Sequence, residues 1–453
     1  MWATEAVPEH SILAGPDDPR YFVAYRLATP GDADDVVDGY FNWSLSDGTW
    51  DPDLHLAPDP PNGDGASDPW TATFGAVGTD YILHLTVPGM DVGVFGTTPS
   101  ALSGGGGATI AARTVNRVPG ADGPSIVPDL GGRDLYVAYN EVPMTVRLDR
   151  LGPCNGPDVG EGECPFAWPS PVSVGQNSDG DLRAHSRVVV NPCTHRPIVG
   201  TRRQAFVSGG VGRQIRLNAV GTNGELLADL VVDRFSTSVF SQCQGVAAGE
   251  IPRCQLGTME CTNGAADACL EIDRSPDLAT WFDPATGKCR AYVTYDVLDP
   301  DSGTVVVRTA VVDVTNDDVF DPMTSVLEVV DSASAADGHR DFSGTVVVDA
   351  FTGSAGVFFY RQEKGDPCVT TLRGMVRSGA DGPWEPTEPL AGPFPSIVAD
   401  PDGMGHYVRG VSFPRPGRLF VTWAEPWPTS DASCAVCQGV RYSLAVRGRE
   451  VMP

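Results

Sequence analysis

Ionisable residues gather at two kinds of position in this 453-residue chain. His10, Arg183, His185 and Arg187 stand before or inside the start of short apolar runs, as do Arg274, His339, Arg340 and Asp341. Arg26, Glu141, Arg202, Arg203, Asp296, Arg361 and Glu425 follow other apolar runs. These residue types can grip an anion. A guanidinium offers a fixed fork of donors that matches a carboxylate, and a histidine adds a donor as pH falls towards its ordinary value of about 6.5. The candidate ligand contacts are therefore Arg187, Arg340, Arg361, His185 and His339, with Glu141 and Glu425 as the acidic members. An aromatic before several of the second group (Tyr25, Tyr139, Tyr295, Tyr360, Trp423) could stack on a sugar ring. No residue is assigned a catalytic role. The competing account is a rim of ion pairs in which the arginines meet Asp341, Glu141 and Glu425.

What brings these positions together is a repeat. The stretch from Pro124 to Glu141 holds an apolar run, a turn with Gly131-Gly132, and a second run ending Asn140-Glu141. That is a hairpin pattern. It returns near the end as Pro395-Ser-Ile-Val-Ala-Asp-Pro-Asp-Gly403 followed by Gly417–Glu425. First strands are expected near Ser11, Thr71, Ser125, Ser186, Pro276, Ser343 and Ser396, at spacings of 60, 54, 61, 90, 67 and 53. A period near 60 with three or four strands per unit predicts an all-β, seven-bladed β-propeller of four-stranded antiparallel blades. Six blades is the alternative, since the second copy is the weakest. Residues Ala3–Val7 are expected to supply the outer strand of the last blade. In such a ring the first strands line the channel. The loops leading into them and those leaving the second strands share one funnel-shaped face. That face is where the arginines and histidines should meet.

The chain is read as one propeller over residues 1–453, with a Cys-rich insertion at 235–273 between the fourth and fifth blades. The insertion carries Cys243, Cys254, Cys261 and Cys269, without His or paired C-x-x-C spacing, so disulfides are expected there rather than zinc. Cys154 and Cys164 flank an acidic loop that a bridge would close. Cys193 and Cys289 stand just before the second strands of adjacent copies and are positioned to pair. Eleven cysteines point to an oxidising compartment, hence to an extracellular, cell-surface or periplasmic location. Met1–Glu5 shows neither the basic nor the apolar segment of a signal peptide, so an export signal is expected elsewhere or already removed.

The formal charge of −27 and the presence of only two lysines, Lys288 and Lys364, argue against nucleic acid. No apolar stretch reaches the ~18 residues of a membrane helix. Asn177, Asp179 and Asp181 resemble part of a calcium loop but lack its distal Glu, so Ca²⁺ is the one cofactor considered and no other is expected.

The pattern Pro-Ser-apolar-x-Asp-x-Gly, then Leu-aromatic-Val-x-Trp/Tyr, resembles the blade repeat of the sialidase-like propellers that carry Asp-box (BNR) motifs. Ser44–Trp50 and Ser378–Trp384 are degenerate relatives of that box, one residue off its spacing. The resemblance implies that Asp47 and Asp381 are turn carboxylates capping backbone N–H groups, with Trp50 and Trp384 packed between strands. The family's early Phe/Tyr-Arg-Ile-Pro motif is absent; Pro19–Phe22 is not it. The expectation is a non-enzymatic exported platform that binds a protein or glycan partner, or forms part of a surface assembly. The alternative is a sialidase-like glycoside hydrolase acting on an acidic sugar.

Overall fold

Runs of β-branched and aromatic residues, cut by Gly, Pro and Asp, leave the backbone few options but short strands. The computed structural model describes the strands below together with residues 129, 134, 152, 167–171, 174, 191–196, 221–225, 276, 284–287, 314–318, 320, 339, 349–354, 378–384, 387–390, 416–418 and 452–453, and side-chain detail begins at Ser125. No helix occurs among the described residues. All strand pairs are antiparallel.

The first sheet is β1 (Ala6–Ala14), β2 (Tyr21–Ala28), β3 (Val37–Trp43) and β4 (Leu54–His55). The second is β5 (Ala66–Ala76), β6 (Thr79–Pro88) and β7 (Gly93–Thr97). The third is β8 (Ala121–Pro128), β9 (Leu135–Glu141), β10 (Thr145–Leu151) and β11 (Val172–Ser173). The fourth is β12 (Leu182–Val190), β13 (Pro197–Val207), β14 (Gly210–Val220) and β15 (Leu226–Thr237). A separate hairpin follows, β16 (Thr258–Cys261) with β17 (Cys269–Ile272). The fifth sheet is β18 (Asp277–Asp283), β19 (Lys288–Leu298), β20 (Val305–Asp313) and β21 (Val326–Val329). The sixth is β22 (Arg340–Val348), β23 (Ala355–Glu363), β24 (Asp366–Arg377) and β25 (Glu385–Pro386), with β26 (Ala391–Pro395) also on β24. The last described sheet is β27 (Arg409–Ser412), β28 (Leu419–Trp427) and β29 (Ser443–Val451).

The first strands neighbour one another in order: β1 with β5, β5 with β8, β8 with β12, β12 with β18, β18 with β22, β22 with β27, and β27 with β1. The core lies between sheets. Val188, Val190 and Val199 of the fourth sheet pack on Ala138, Val146 and Leu148 of the third. Ile215 and Leu217 pack on Val293 and Val312 of the fifth. Trp281 and Tyr292 of the fifth pack on Val357 and Phe359 of the sixth. Among the described residues, second strands are covered on both faces. Along β9, residues 135–140 are all buried, which is why LYVAYN reads as a continuous apolar run rather than an alternation.

One expectation about the ends is corrected. Val7 pairs with Arg26 inside β1, the first strand of the first sheet, and so does not form an outer strand on the last. At the seventh copy, the expected run from Ser396 lies outside the described residues; among the described ones, β27 pairs with β28, and Ala391–Pro395 pairs with β24 of the preceding sheet.

A recurrent turn joins first to second strands. In Asn191-Pro-Cys-Thr-His195, Asp283-Pro-Ala-Thr-Gly287 and Asp349-Ala-Phe-Thr-Gly353, the side chain of the first residue accepts the backbone N–H two residues on, at 2.9, 2.9 and 3.0 Å. The fifth residue donates its N–H to the first residue's carbonyl at 2.8, 2.8 and 2.9 Å. That fifth residue has φ of 60° at His195, 69° at Gly287 and 70° at Gly353.

Candidate functional site at the junction of three sheets

The start of β22 is irregular. Its register with β23 shifts between Phe342 and Thr345, and Ser343 takes φ 55°, unusual for a residue with a Cβ. Comparable register shifts interrupt β1, β5, β8 and β12 near their own starts. At β22 the bulge turns two amides outward, and a carboxylate from the fifth sheet takes both. Ser343 N donates to Asp296 Oδ2 at 2.7 Å, and Gly344 N to Asp296 Oδ1 at 3.0 Å. A Cβ at Gly344 would lie 2.8 Å from Val307 and 3.2 Å from Asp296 Oδ1, so the approach requires glycine.

Three further groups complete the cluster. Asp341, also on β22, accepts both arms of the Arg361 guanidinium at 2.8 and 2.9 Å. Asp277, at the start of β18, accepts Arg187 Nε of the fourth sheet at 2.8 Å and Val346 N of the sixth at 3.0 Å, with the Thr345 hydroxyl on the same oxygen as Val346. One carboxylate thus ties three consecutive sheets. Arg202 of β13, 1 % exposed, acts electrostatically on Asp296.

Asp296 is 8 % exposed. Burial pushes its carboxyl up to about 6; neighbouring Asp341 adds to the rise, while the two amides and Arg202 oppose it. A carboxyl that holds its proton towards neutral pH can deliver it to a leaving group.

The expected contacts divide as follows. Arg187 and Arg361 are at this junction, each engaged with an aspartate, so the ion-pair account holds for both. Arg361 meets Asp341 as that account anticipated, whereas the partner of Arg187 is Asp277. Arg340 faces Gln362 in register, His185 lies within β12, and Glu425 faces Ala445; their side chains are outside the described residues. His339 is half-buried immediately before β22. Glu141 is bound by Arg147 Nε at 2.6 Å in the third sheet. The aromatics before the second-strand ends are not open to a sugar: Tyr139, Tyr295, Tyr360 and Trp423 are 1, 2, 0 and 5 % exposed. Tyr139 donates to Asp149 and Tyr295 to Asp233.

Asp381 is corrected as well. It lies between the third and fourth strands as the Asp-box likeness implied, but its carboxylate accepts Arg290 of the fifth sheet at 2.7 Å rather than capping its own turn. Trp384 does pack between sheets, with Arg377 4.8 Å from its ring and 5.0 Å from that of Tyr292. Asp47 and Trp50 lie outside the described residues, as do Cys154, Cys164, Cys243, Cys254, Asn177, Asp179 and Asp181. Cys261 stands directly opposite Cys269 in the β16–β17 hairpin. Cys193 and Cys289 form a disulfide. Among the described residues no group of three or more His, Cys, Asp or Glu could hold a metal ion. No helix there is long and apolar enough to cross a membrane.

Asp277, Thr345 and the two bulge amides were missed from the sequence. A signal existed for one of them: aligning the starts of the fifth and sixth copies sets Asp277 and Asp341 at comparable positions. The amides had none, because a bulge is decided by pairing.

No protein-family model matches the chain, and no curated protein sequence matches it. Solved structures do. An endo-arabinase from Bacteroides thetaiotaomicron is 12 % identical, over 72 % of this chain and 92 % of that one, with a TM-score of 0.35. An α-L-arabinanase from Penicillium chrysogenum, solved with arabinobiose, is 12 % identical over 68 % and 89 %, TM-score 0.37. AofleA from Arthrobotrys oligospora is 12 % identical over 86 % and 89 %, TM-score 0.40. With carbohydrate-cleaving enzymes prominent among these structures, the expectation of a non-enzymatic platform is corrected and set aside. A sialidase is not among the three structures reported.

Proposed function

We propose that the chain is a seven-bladed β-propeller that cleaves a glycosidic bond of an acidic sugar at the face where first strands begin and second strands end. The observation that carries this is Asp296, enclosed at that face, with a carboxyl raised to about 6 beside Asp341 and Arg202. Glycoside cleavage needs two carboxyl groups in unlike environments. Asp296, kept from water, is the proton donor to the leaving oxygen. Asp341, gripped by Arg361, is the second carboxyl beside it. The ring of seven first strands, with β27 returning to β1, supports the blade number. The reading includes one domain carrying the Cys-rich insertion, and export to an extracellular, cell-surface or periplasmic site.

The test is a panel of aryl glycosides that includes uronides, sialosides and neutral pentosides, run between pH ~4 and ~8. Cleavage of at least one acidic member is expected, with an alkaline limb near pH ~6 from loss of the Asp296 proton. Asp296→Asn should lower kcat by at least about 100-fold. Folding of that variant is checked by its melting transition. No cleavage across the panel, or an active Asp296→Asn, removes the reading.

A further inference from the structure

Four consecutive residues of β22 are held by two carboxylates. Ser343 N and Gly344 N donate to Asp296, while the Thr345 hydroxyl and Val346 N donate to one oxygen of Asp277. The register shift of β22 on β23 falls in this run, so pairing within its own sheet is interrupted where the two carboxylates take hold. Both carboxylates come from the fifth sheet. Asp277 on β18 stands opposite Thr294 on β19, and Asp296 is two residues beyond Thr294, so the two share a face. Diagonal neighbours of that kind stand about 7–8 Å apart. Two residues of extended strand rise about 6.6 Å, so the carboxylates meet β22 at matching intervals.

Asp277 is braced from the other side as well. Its second oxygen accepts Arg187 Nε of the fourth sheet at 2.8 Å. Arg187, Asp277 and Thr345 are all buried, so water does not compete for these bonds.

We propose that Asp277 is a positioning residue for Asp296. It holds Thr345 and Val346, and through them it fixes the two preceding amides against the Asp296 carboxyl; Arg187 in turn fixes Asp277. The fourth sheet thereby reaches the site through one hydrogen-bonded chain. The bearing of this chain on catalysis rests on the reading of Asp296 as the proton donor, but the positioning itself is measured without substrate.

The sign of the effect separates positioning from charge. The two amides favour the ionised carboxyl, so slackening them moves the Asp296 midpoint up. Removing the Asp277 charge beside Arg187 moves it down. The other charged groups facing Asp296 are kept in every variant: Asp341 of β22, paired with Arg361 of β23, and Arg202 of β13. Arg308 of β20 is turned to Asp233.

The experiment is a carboxyl-carbon NMR titration of the aspartate-labelled full chain, in which the Asp296 signal is the one that Asp296→Asn removes. Thr345→Val changes no charge and takes one bond from Asp277, so the midpoint should rise from about 6 by about half a pH unit. Thr345→Ser keeps the hydroxyl and should titrate as the parent does. Asp277→Ala should raise the midpoint by about one pH unit, the worth of one donor to a charged group. Melting transitions check folding, and the Thr345 pair decides the matter if Asp277→Ala does not fold. The proposal is overturned if Thr345→Val leaves the midpoint unchanged or lowers it, if Thr345→Ser shifts it as far as Thr345→Val does, or if a folded Asp277→Ala lowers it. Aryl-glycoside assays on the same variants keep the two readings apart. The expected shifts in a protein that cleaves nothing retire the hydrolase and leave the positioning. Cleavage whose alkaline limb does not move in Thr345→Val retires the positioning alone.

Discussion

Asp296 holds two backbone amides and yet resists ionisation, because the water it lost outweighs the donors it gained. This sets a pH dependence for the whole fold. Its carboxyl sits at about 6 folded, against an ordinary aspartate value near 3.9 unfolded, so the folded state binds the proton more tightly. Its contribution to stability is then greatest below pH ~4, falls through the window from ~4 to ~6, and stays flat above. The fall is about 3 kcal/mol at most. Asp283 and Asp381 run the other way: the Thr286 hydroxyl and the Arg290 guanidinium, respectively, hold them low, so their contribution is lost only below pH ~4. Asp149, raised by burial, is common to parent and variant. The melting temperature of the parent minus that of Asp296→Asn should therefore grow as pH drops from 7 to 5. A difference that stays constant across that range would show that Asp296 is not the group titrating.

At the scale of elements, the three Asx turns rest on the same geometry with different fifth residues. Replacing Gly353 by Ala places a Cβ at positive φ and 2.5 Å from the ring of Trp281, a core residue, whereas at Gly287 nothing lies within 4 Å. Gly287→Ala should cost about 1 kcal/mol from backbone strain alone, and Gly353→Ala about 2–4 kcal/mol, since the indole must also move. His195→Gly should be neutral or stabilise by up to about 1 kcal/mol, because it relieves the same strain. Urea unfolding of the three variants checks the order; equal costs at Gly287 and Gly353 would refute the packing argument. These turns were legible and passed over. Asp/Asn-x-x-Thr-Gly/His recurs at residues 191, 283 and 349, a firmer repeat than the Asp-box likeness at Ser378–Trp384. Six of the first strands were placed from their apolar runs. At the seventh copy the expected run from Ser396 lies outside the described residues, and the strand that pairs with β28 is β27, of four residues. Charged positions at the strand ends were legible as positions, but their pairing was not: Arg187 finds Asp277 across 90 residues of sequence, which only the packing of the fourth sheet on the fifth brings together.

At the scale of the molecule, the repeat is interrupted most strongly between the fourth and fifth sheets, and that junction is the one most in need of ties across it. The insertion lengthens the connection and must be crossed before β18 can dock on β12. Three devices act across that gap. Thr280 Oγ1 donates to Val190 O at 2.9 Å, Arg187 pairs with Asp277, and the Cys193–Cys289 disulfide joins the first-to-second-strand turn of the fourth sheet to the start of β19. The disulfide spans 96 residues of sequence, so it removes much of the freedom the insertion gives the unfolded chain. On chain entropy a loop of that size is worth about 4–5 kcal/mol. With unfolding entropy near 2.1 cal/mol/K per residue, a 453-residue chain melting as one unit would lose about 4–5 °C without it. Cys193→Ala with Cys289→Ala leaves Arg187–Asp277 and Thr280–Val190 in place, so the loss should be additive with that of Asp277→Ala within a few tenths of a kcal/mol. Non-reducing peptide mapping should find the Cys193–Cys289 bridge, and calorimetry of the double variant should show the lower melting temperature at unchanged pH. A free Cys193 thiol in the parent, or a double variant that melts with it, would mean that the junction is held by its packed strands and aspartates alone.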